Sequence, residues 1–224
     1  MRAQIVVFDG FDPLDVIAPY EVLDAGGAFA GGALTVELVS AEGAREVPSG
    51  VGPLSLRAAA RLDPERADLV VVPGAAGPIA EIPEILGRTL HTDLPGLLKA
   101  ALDRPGSTVA TVCGGSLLLG LAGLLAGRHA TTHHLGLDAL GATGAVTVDA
   151  RIVDDGDLVT AANVTSGLDL GLYLLERHLG PRIAHAVERL IAHERRGTVW
   201  RADGPAPRAE GAAPRADGPT PLAG

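Results

Sequence analysis

The sequence predicts an α/β fold, a mostly parallel sheet with helices on both faces. Two observations carry this reading. Short apolar, β-branched runs recur at residues 4–8, 34–39, 68–72 and 108–112, each of a length suited to a strand buried on both sides. Segments with helical signals alternate with them, the pattern of a sheet whose parallel strands are joined by covering helices. The 224 residues suffice for one large domain.

The elements follow in order. After the strand at 4–8, Asp12-Pro13 opens a helix to about residue 25, with Asp as the N-cap and Pro at the first helical position. Residues 34–39 form a second strand, and 47–56 an extended, turn-rich stretch. A third buried strand begins at Asp68 and ends in the Pro73-Gly74 loop, and 94–102 is helical. The strand at 108–112 runs into a leucine-rich helix at 116–126. Two strands, 146–153 and 158–161, flank Asp154-Asp155-Gly156-Asp157, where Asp-Gly favours a tight turn. Helices at 167–179 and 182–196 finish the domain, separated by Gly180-Pro181. This sets the folded domain at residues 1–196. Residues 197–224 carry RADGPAP, RAEGAAP and RADGPTP in succession, with Pro and Gly in each copy, and are expected to be a disordered tail.

Composition excludes several functions. Eighteen basic residues against twenty-seven acidic ones give a net charge of −9, which argues against a nucleic-acid partner. Aromatics make up only 3%, so base-stacking platforms are not expected. One cysteine, Cys113, rules out an intramolecular disulfide and a multi-cysteine zinc site, and suits a reducing cytoplasm. Residues 105–127 carry no charge over twenty-three positions, long enough to span a bilayer. Six of them are glycine, and the texture turns from β-branched to leucine-rich midway, so a buried strand followed by a buried helix is expected instead.

In such sheets a ligand sits beyond the carboxyl ends of the strands, which selects residues 8–15, 72–76 and 112–116. Cys113 stands where a buried strand becomes a helix, a position that raises a nucleophile above the sheet edge and aims backbone N–H groups at it. Gly114 and Gly115 permit the tight turn. An inert core cysteine is the alternative. Asp15 is the natural partner, opening its helix beyond the first strand, although Asp12-Pro-Leu-Asp15 also has the spacing of a capping box. If Asp15 meets Cys113, the two cannot both ionise cheaply in an apolar site, and one shared proton gives a thiolate beside a protonated acid. Asp9 is expected to be solvent-facing or structural, and Ser116 a cap. His129, His133 and His134 lack supporting metal ligands, so no metal is expected, and Gly74-Ala-Ala-Gly77 lacks the Lys-Ser/Thr of a phosphate loop.

The stretch from Val112-Cys113-Gly-Gly-Ser to Ala130-Thr-Thr-His133 resembles the nucleophile segment of the ThiJ/PfpI superfamily. It is most similar to the branch holding isonitrile hydratases and the sensor domains of AraC-type activators. Asp12-Pro-Leu-Asp15-Val-Ile-Ala-Pro-Tyr-Glu-Val-Leu, Val72-Pro73-Gly74 and Val164-Thr165-Ser-Gly167-Leu-Asp169 agree in order, so the match spans residues 3–196. The resemblance implies a flavodoxin-like three-layer α/β sandwich, a homodimer, and a cofactor-free enzyme acting on a small molecule in the cytoplasm, with no nucleic-acid or membrane partner. By position it makes Cys113 the nucleophile and Asp15 its acid. Gly74, Ala75, Gly114, His133 and Thr165 become substrate- or oxyanion-binding residues. The implied reaction is hydration of an isonitrile to an N-substituted formamide through a Cys113 thioimidate. A ligand- or redox-sensing module and a glyoxalase- or deglycase-like thiol enzyme are the alternatives. Two departures bear on the pocket: the hydratase branch has Thr after the cysteine where this chain has Gly114, and family members commonly have Trp where this chain has His134.

Overall fold

The computed structural model describes residues 1–202. Along the chain run β1 (Arg2–Val6), α1 (Pro13–Phe29), β2 (Thr35–Ser40), β3 (Arg45–Pro48), β4 (Ser55–Ala58), β5 (Ala60–Arg61) and β6 (Leu69–Val72). Next come α2 (Ile82–Leu90), α3 (Leu94–Asp103), β7 (Thr108–Val112), α4 (Gly115–Leu121), β8 (His129–Ala130), α5 (Leu137–Ala142) and β9 (Val146–Thr147). The chain continues through β10 (Ile152–Asp154), β11 (Leu158–Ala161), α6 (Ser166–Leu179), α7 (Pro181–Ile191) and β12 (Val199–Arg201).

Eight strands form the main sheet in the order β12-β10-β11-β7-β6-β1-β2-β5. Neighbours from β11 to β5 are parallel, and the β10–β12 pair runs opposite to them. Every residue of β6, β7 and β11 is buried, as their β-branched runs demand, and each valine so buried contributes on the order of 1.5–3 kcal/mol. The flavodoxin-like α/β sandwich expected from the sequence is the observed fold.

Chain order fixes where a site can form. From β1 the chain moves outward to β2, whereas from β6 it moves the other way to β7. Right-handed crossovers therefore put α1 and the α2–α3 pair on opposite faces, and a crevice opens at the strand ends where the order reverses. Helices α6 and α7 join α1 on its face. Glycines let α1 and α6 approach closely: a Cβ on Gly171 would come within 2.7 Å of Val22, and one on Gly26 within 2.2 Å of Leu175.

Several boundaries differ from expectation. Helix α1 runs on to Phe29, because Gly26 and Gly27 are packing positions rather than stops. Helix α4 ends at Leu121, short of residue 126, and the chain turns at Gly123, whose φ is +76°. Helix α2 has no counterpart among the expected elements; Pro83 starts it, and Ile85, Leu86 and Thr89 bury one face. The stretch 47–56 resolves into the β3–β4 hairpin, and 146–153 divides between β9 and β10. The domain limit at residue 196 is corrected: α7 stops at Ile191, and the chain returns to add β12 beside β10. Asp169 anchors this return, accepting hydrogen bonds from Arg151 Nε (2.7 Å) and the Arg196 amide (2.9 Å), with His193 Nε2 3.2 Å away. The expected disordered tail otherwise lies outside the described residues. No helix among the described residues is long and apolar enough to cross a membrane.

Candidate active site

Asp15, Gly74 and Cys113 follow β1, β6 and β7 and converge at the crevice where the strand order reverses. Asp12 caps α1 by accepting from the Leu14 amide at 2.9 Å. Its own N–H donates to the Gly74 carbonyl at 2.9 Å, so no capping box closes onto Asp15. Asp15 is fully buried instead and accepts the Gly74 N–H at Oδ2, 2.9 Å away. Gly74 thus binds the start of α1 with both backbone groups. Its lack of a side chain is required, since a Cβ would lie 2.6 Å from the Gly114 nitrogen and 3.0 Å from Asp15 Oδ2.

Cys113 is the sharp turn between β7 and α4. It holds φ at +53°, the left-handed region that costs a non-glycine residue strain and recurs at functional sites. The strain is held by a dense set of bonds. Its N–H donates to the Ala161 carbonyl at 3.0 Å, and its carbonyl accepts from Thr132 Oγ1 at 2.9 Å and Ser116 Oγ at 3.3 Å. Ser116 also donates to the Thr131 carbonyl at 2.6 Å, which makes it a structural hydroxyl. No local sequence signal assigns a part to Thr132, although it stands next to His133 in the nucleophile segment.

Burial dominates the electrostatics of the pair. It raises the Asp15 carboxyl from 3.8 to about 8, helped by the charge on Asp12 and opposed by the Gly74 N–H and the Cys113 thiol. Burial also pushes the Cys113 thiol well above its ordinary value, helped by the Asp15 charge, with the Gly114 amide pulling it back. Both shifts oppose ionisation, so the form of the pair that shares one proton is reached as pH rises towards the Asp15 value of about 8. Asp15 Oδ1 has no well-formed hydrogen bond, although the nearby thiol perturbs the carboxyl. Because Oδ2 accepts the Gly74 N–H, it is the carbonyl oxygen of the acid. Oδ1 is left to carry the proton.

The remaining expected residues separate into two groups. Gly114 and Ala75 lie together, a Cβ on Gly114 coming 3.5 Å from the Gly74 Cα and 3.9 Å from the Ala75 nitrogen. Gly74 itself spends its N–H on Asp15 and so is corrected from an anion donor to a support for the acid. His133 follows Thr132 beside the elbow. Its Nδ1 accepts the Leu135 N–H at 3.3 Å, and burial with its neighbour His134 lowers its pKa, which leaves a neutral ring with the proton on Nε2. Thr165 is not brought into this group: its carbonyl accepts from Arg151 at 3.0 Å, and it lines a cleft of about 570 Å³ with Arg151 and His193. Asp9 is exposed and pairs with Arg45 at 2.7 Å, as expected. Of the other histidines considered as metal ligands, His129 pairs with Asp155 at 3.1 Å, while His134 lies against the His133 ring (centroids 4.2 Å apart) and pairs with Asn163 at 2.8 Å.

Known proteins resemble this chain in sequence and in fold. An isonitrile hydratase of Pseudomonas putida is 39% identical over 123 residues, 54% of this chain and 50% of that protein. The HTH-type transcriptional regulator CdhR of Pseudomonas aeruginosa is 28% identical over 182 residues, 80% of this chain and 51% of the regulator. The chain thus spans about half the length of each. A ThiJ/PfpI family protein from Pseudomonas syringae superposes with a TM-score of 0.73 at 24% identity, covering 87% of this chain and 76% of that one. The family model of DJ-1/PfpI proteins matches residues 1–177, and with the strained Cys113 elbow and the buried Asp15 in place, the chain belongs to the DJ-1/PfpI family.

Proposed function

We propose that the protein is a cofactor-free isonitrile hydratase, a hydro-lyase that adds water to an isonitrile and releases an N-substituted formamide. The observation carrying this reading is a single thiol on a strained elbow beside one buried carboxylic acid. An isonitrile needs that combination: its terminal carbon must gain a nucleophile and a proton together. In the singly protonated pair, Cys113 Sγ bonds to the terminal carbon. The remaining proton passes through Asp15 Oδ1 to the same carbon, giving a thioimidate and an ionised Asp15. That carboxylate then takes a proton from water as the water oxygen bonds to the carbon. Asp15 passes that proton to the substrate nitrogen, the adduct's hydroxyl proton returns to Asp15 as the C–S bond breaks, and the formamide leaves the pair with its single proton. The Gly114 and Ala75 amides, with neutral His133, would steady charge on the substrate nitrogen.

The remaining expectations belong to the same reading: a small-molecule substrate, a homodimer, and a cytoplasmic protein. A second reading is a ligand-sensing module, favoured by the likeness to the CdhR regulator. The test is formamide release from an aryl isonitrile. The hydratase reading expects turnover that Cys113→Ala abolishes and Asp15→Asn nearly abolishes. Saturable isonitrile binding without turnover supports the sensor.

A further inference from the structure

Thr165, at the start of α6, lies outside the Asp15–Cys113 group and borders a second cavity. This cleft of about 570 Å³ is lined by Thr165 and Leu168, by Arg151, and by residues 192–196, which lead from α7 towards β12. A recess of about 290 Å³ shares its Leu168, Ala192 and His193 walls and runs on to Val22 of α1 and Ile191 of α7. Cavities of this size are ones that small molecules fill. The chain enters the cleft through a strained residue. Ala192 closes α7 with φ at +52°, a left-handed cap that usually falls to glycine.

One buried carboxylate arranges the polar wall. Asp169 holds Arg151 through Nε (2.7 Å) and Nη2 (2.6 Å), accepts the Arg196 N–H, and lies 3.2 Å from His193 Nε2. Among the described residues, Arg151 Nη1 has no hydrogen-bond partner, and the Arg196 guanidinium pairs with no carboxylate. Arg195, by contrast, is occupied by Glu176 and Glu188. Thr165 holds the N-cap position of α6 without making a capping bond, and its hydroxyl accepts only a long contact from Arg151 Nη2 at 3.4 Å. Its hydrogen is therefore left to donate. These donors belong to the cleft alone, whereas Val22 and Ile191 belong to the recess, and Leu168 joins the two. The exposed Glu194 and Glu21 also border the cavity and oppose an anion. We propose that the cleft binds an aliphatic carboxylate. Arg196, Arg151 Nη1 and Thr165 hold its head group, and its chain lies over Leu168 into the recess. This site is separate from the hydratase reading and stands without it.

Titration calorimetry of the full chain with acetate, butyrate and hexanoate tests the assignment. Affinity is expected to rise about fourfold for each methylene that the recess covers. Arg196→Gln keeps the backbone N–H on Asp169 and removes the free charge, so it should weaken hexanoate about tenfold or more. Glu194→Gln removes a like charge and should tighten hexanoate about twofold. Absence of saturable hexanoate binding overturns the proposal, as does an affinity that ignores chain length or the loss of Arg196. Hexylamine binding as tightly as hexanoate also overturns it, because the glutamates would then select the ligand. Affinity lost in Asp15→Asn but kept in Arg196→Gln would seat the carboxylate at the Asp15–Cys113 pair, and overturns it equally.

Discussion

The proposed chemistry depends on how two residues share protons. Asp15 is buried and its carboxyl is raised to about 8, so the one-proton form of the Asp15–Cys113 pair is the minor form at pH 7. Turnover should rise with pH through an apparent value near 8 and level off above it. Asp12 adds to that elevation by its charge while its oxygen caps α1. Asp12→Asn keeps a capping oxygen and removes the charge, so the midpoint should move down by roughly half a pH unit or more. A pH–rate profile of both proteins checks this. At position 114 a side chain has room: φ is −69°, and the nearest atom to an added Cβ is 3.5 Å away. Gly114→Thr should fold normally. If its hydroxyl donates to the sulfur, it stabilises the thiolate and raises the rate at pH 7 several-fold relative to the parent, measured by alkylation of Cys113 with iodoacetamide.

Among the elements, strands that are buried on both faces were legible because nothing but β-branched and aliphatic residues suits them. The elbow was legible for the same reason: β7 ends where Cys-Gly-Gly begins. What the residue pattern did not reveal were contacts made between distant segments. The spacing of Asp12 and Asp15 fits a capping box, yet Gly74, fifty-nine residues on, takes the bond that would have closed it. Helix α2, nine residues long and opened by Pro83, has no counterpart in the sequence reading. Strand β12 is three residues long at a sheet edge and draws its order from Asp169, Arg151 and His193, which no local signal joins. The loop after β6 gives the clearest prediction at this scale. In Gly74→Ala the new methyl meets backbone at Gly114 and the acid oxygen of Asp15 together, so hydration should fall at least about 100-fold while the far-ultraviolet circular dichroism is retained.

For the whole molecule, the site is a cost to stability. Asp15 has a folded-state value above its unfolded one, so its contribution is fully present below pH 3.8 and is lost as pH rises to about 8. The loss is on the order of 5 kcal/mol, since each tenfold change in proton affinity is worth about 1.4 kcal/mol. Asp15→Asn does not ionise. Its melting temperature should exceed the parent's by a margin that grows from pH 4 to pH 8, as calorimetry at intervals across that range would show. A strained cysteine adds to the same cost, and the sheet and the α1–α6 contact supply the stability that sustains both.

Mechanism and proton sharing alike require that Cys113 carry the substrate covalently. Peptide mapping of protein quenched during a single turnover with an aryl isonitrile reads this out at the residue itself. One modified residue is expected, Cys113, heavier by the full mass of the isonitrile and restored as formamide appears. Formamide produced at the normal rate with Cys113 unmodified throughout, or by the Cys113→Ala protein, would refute it.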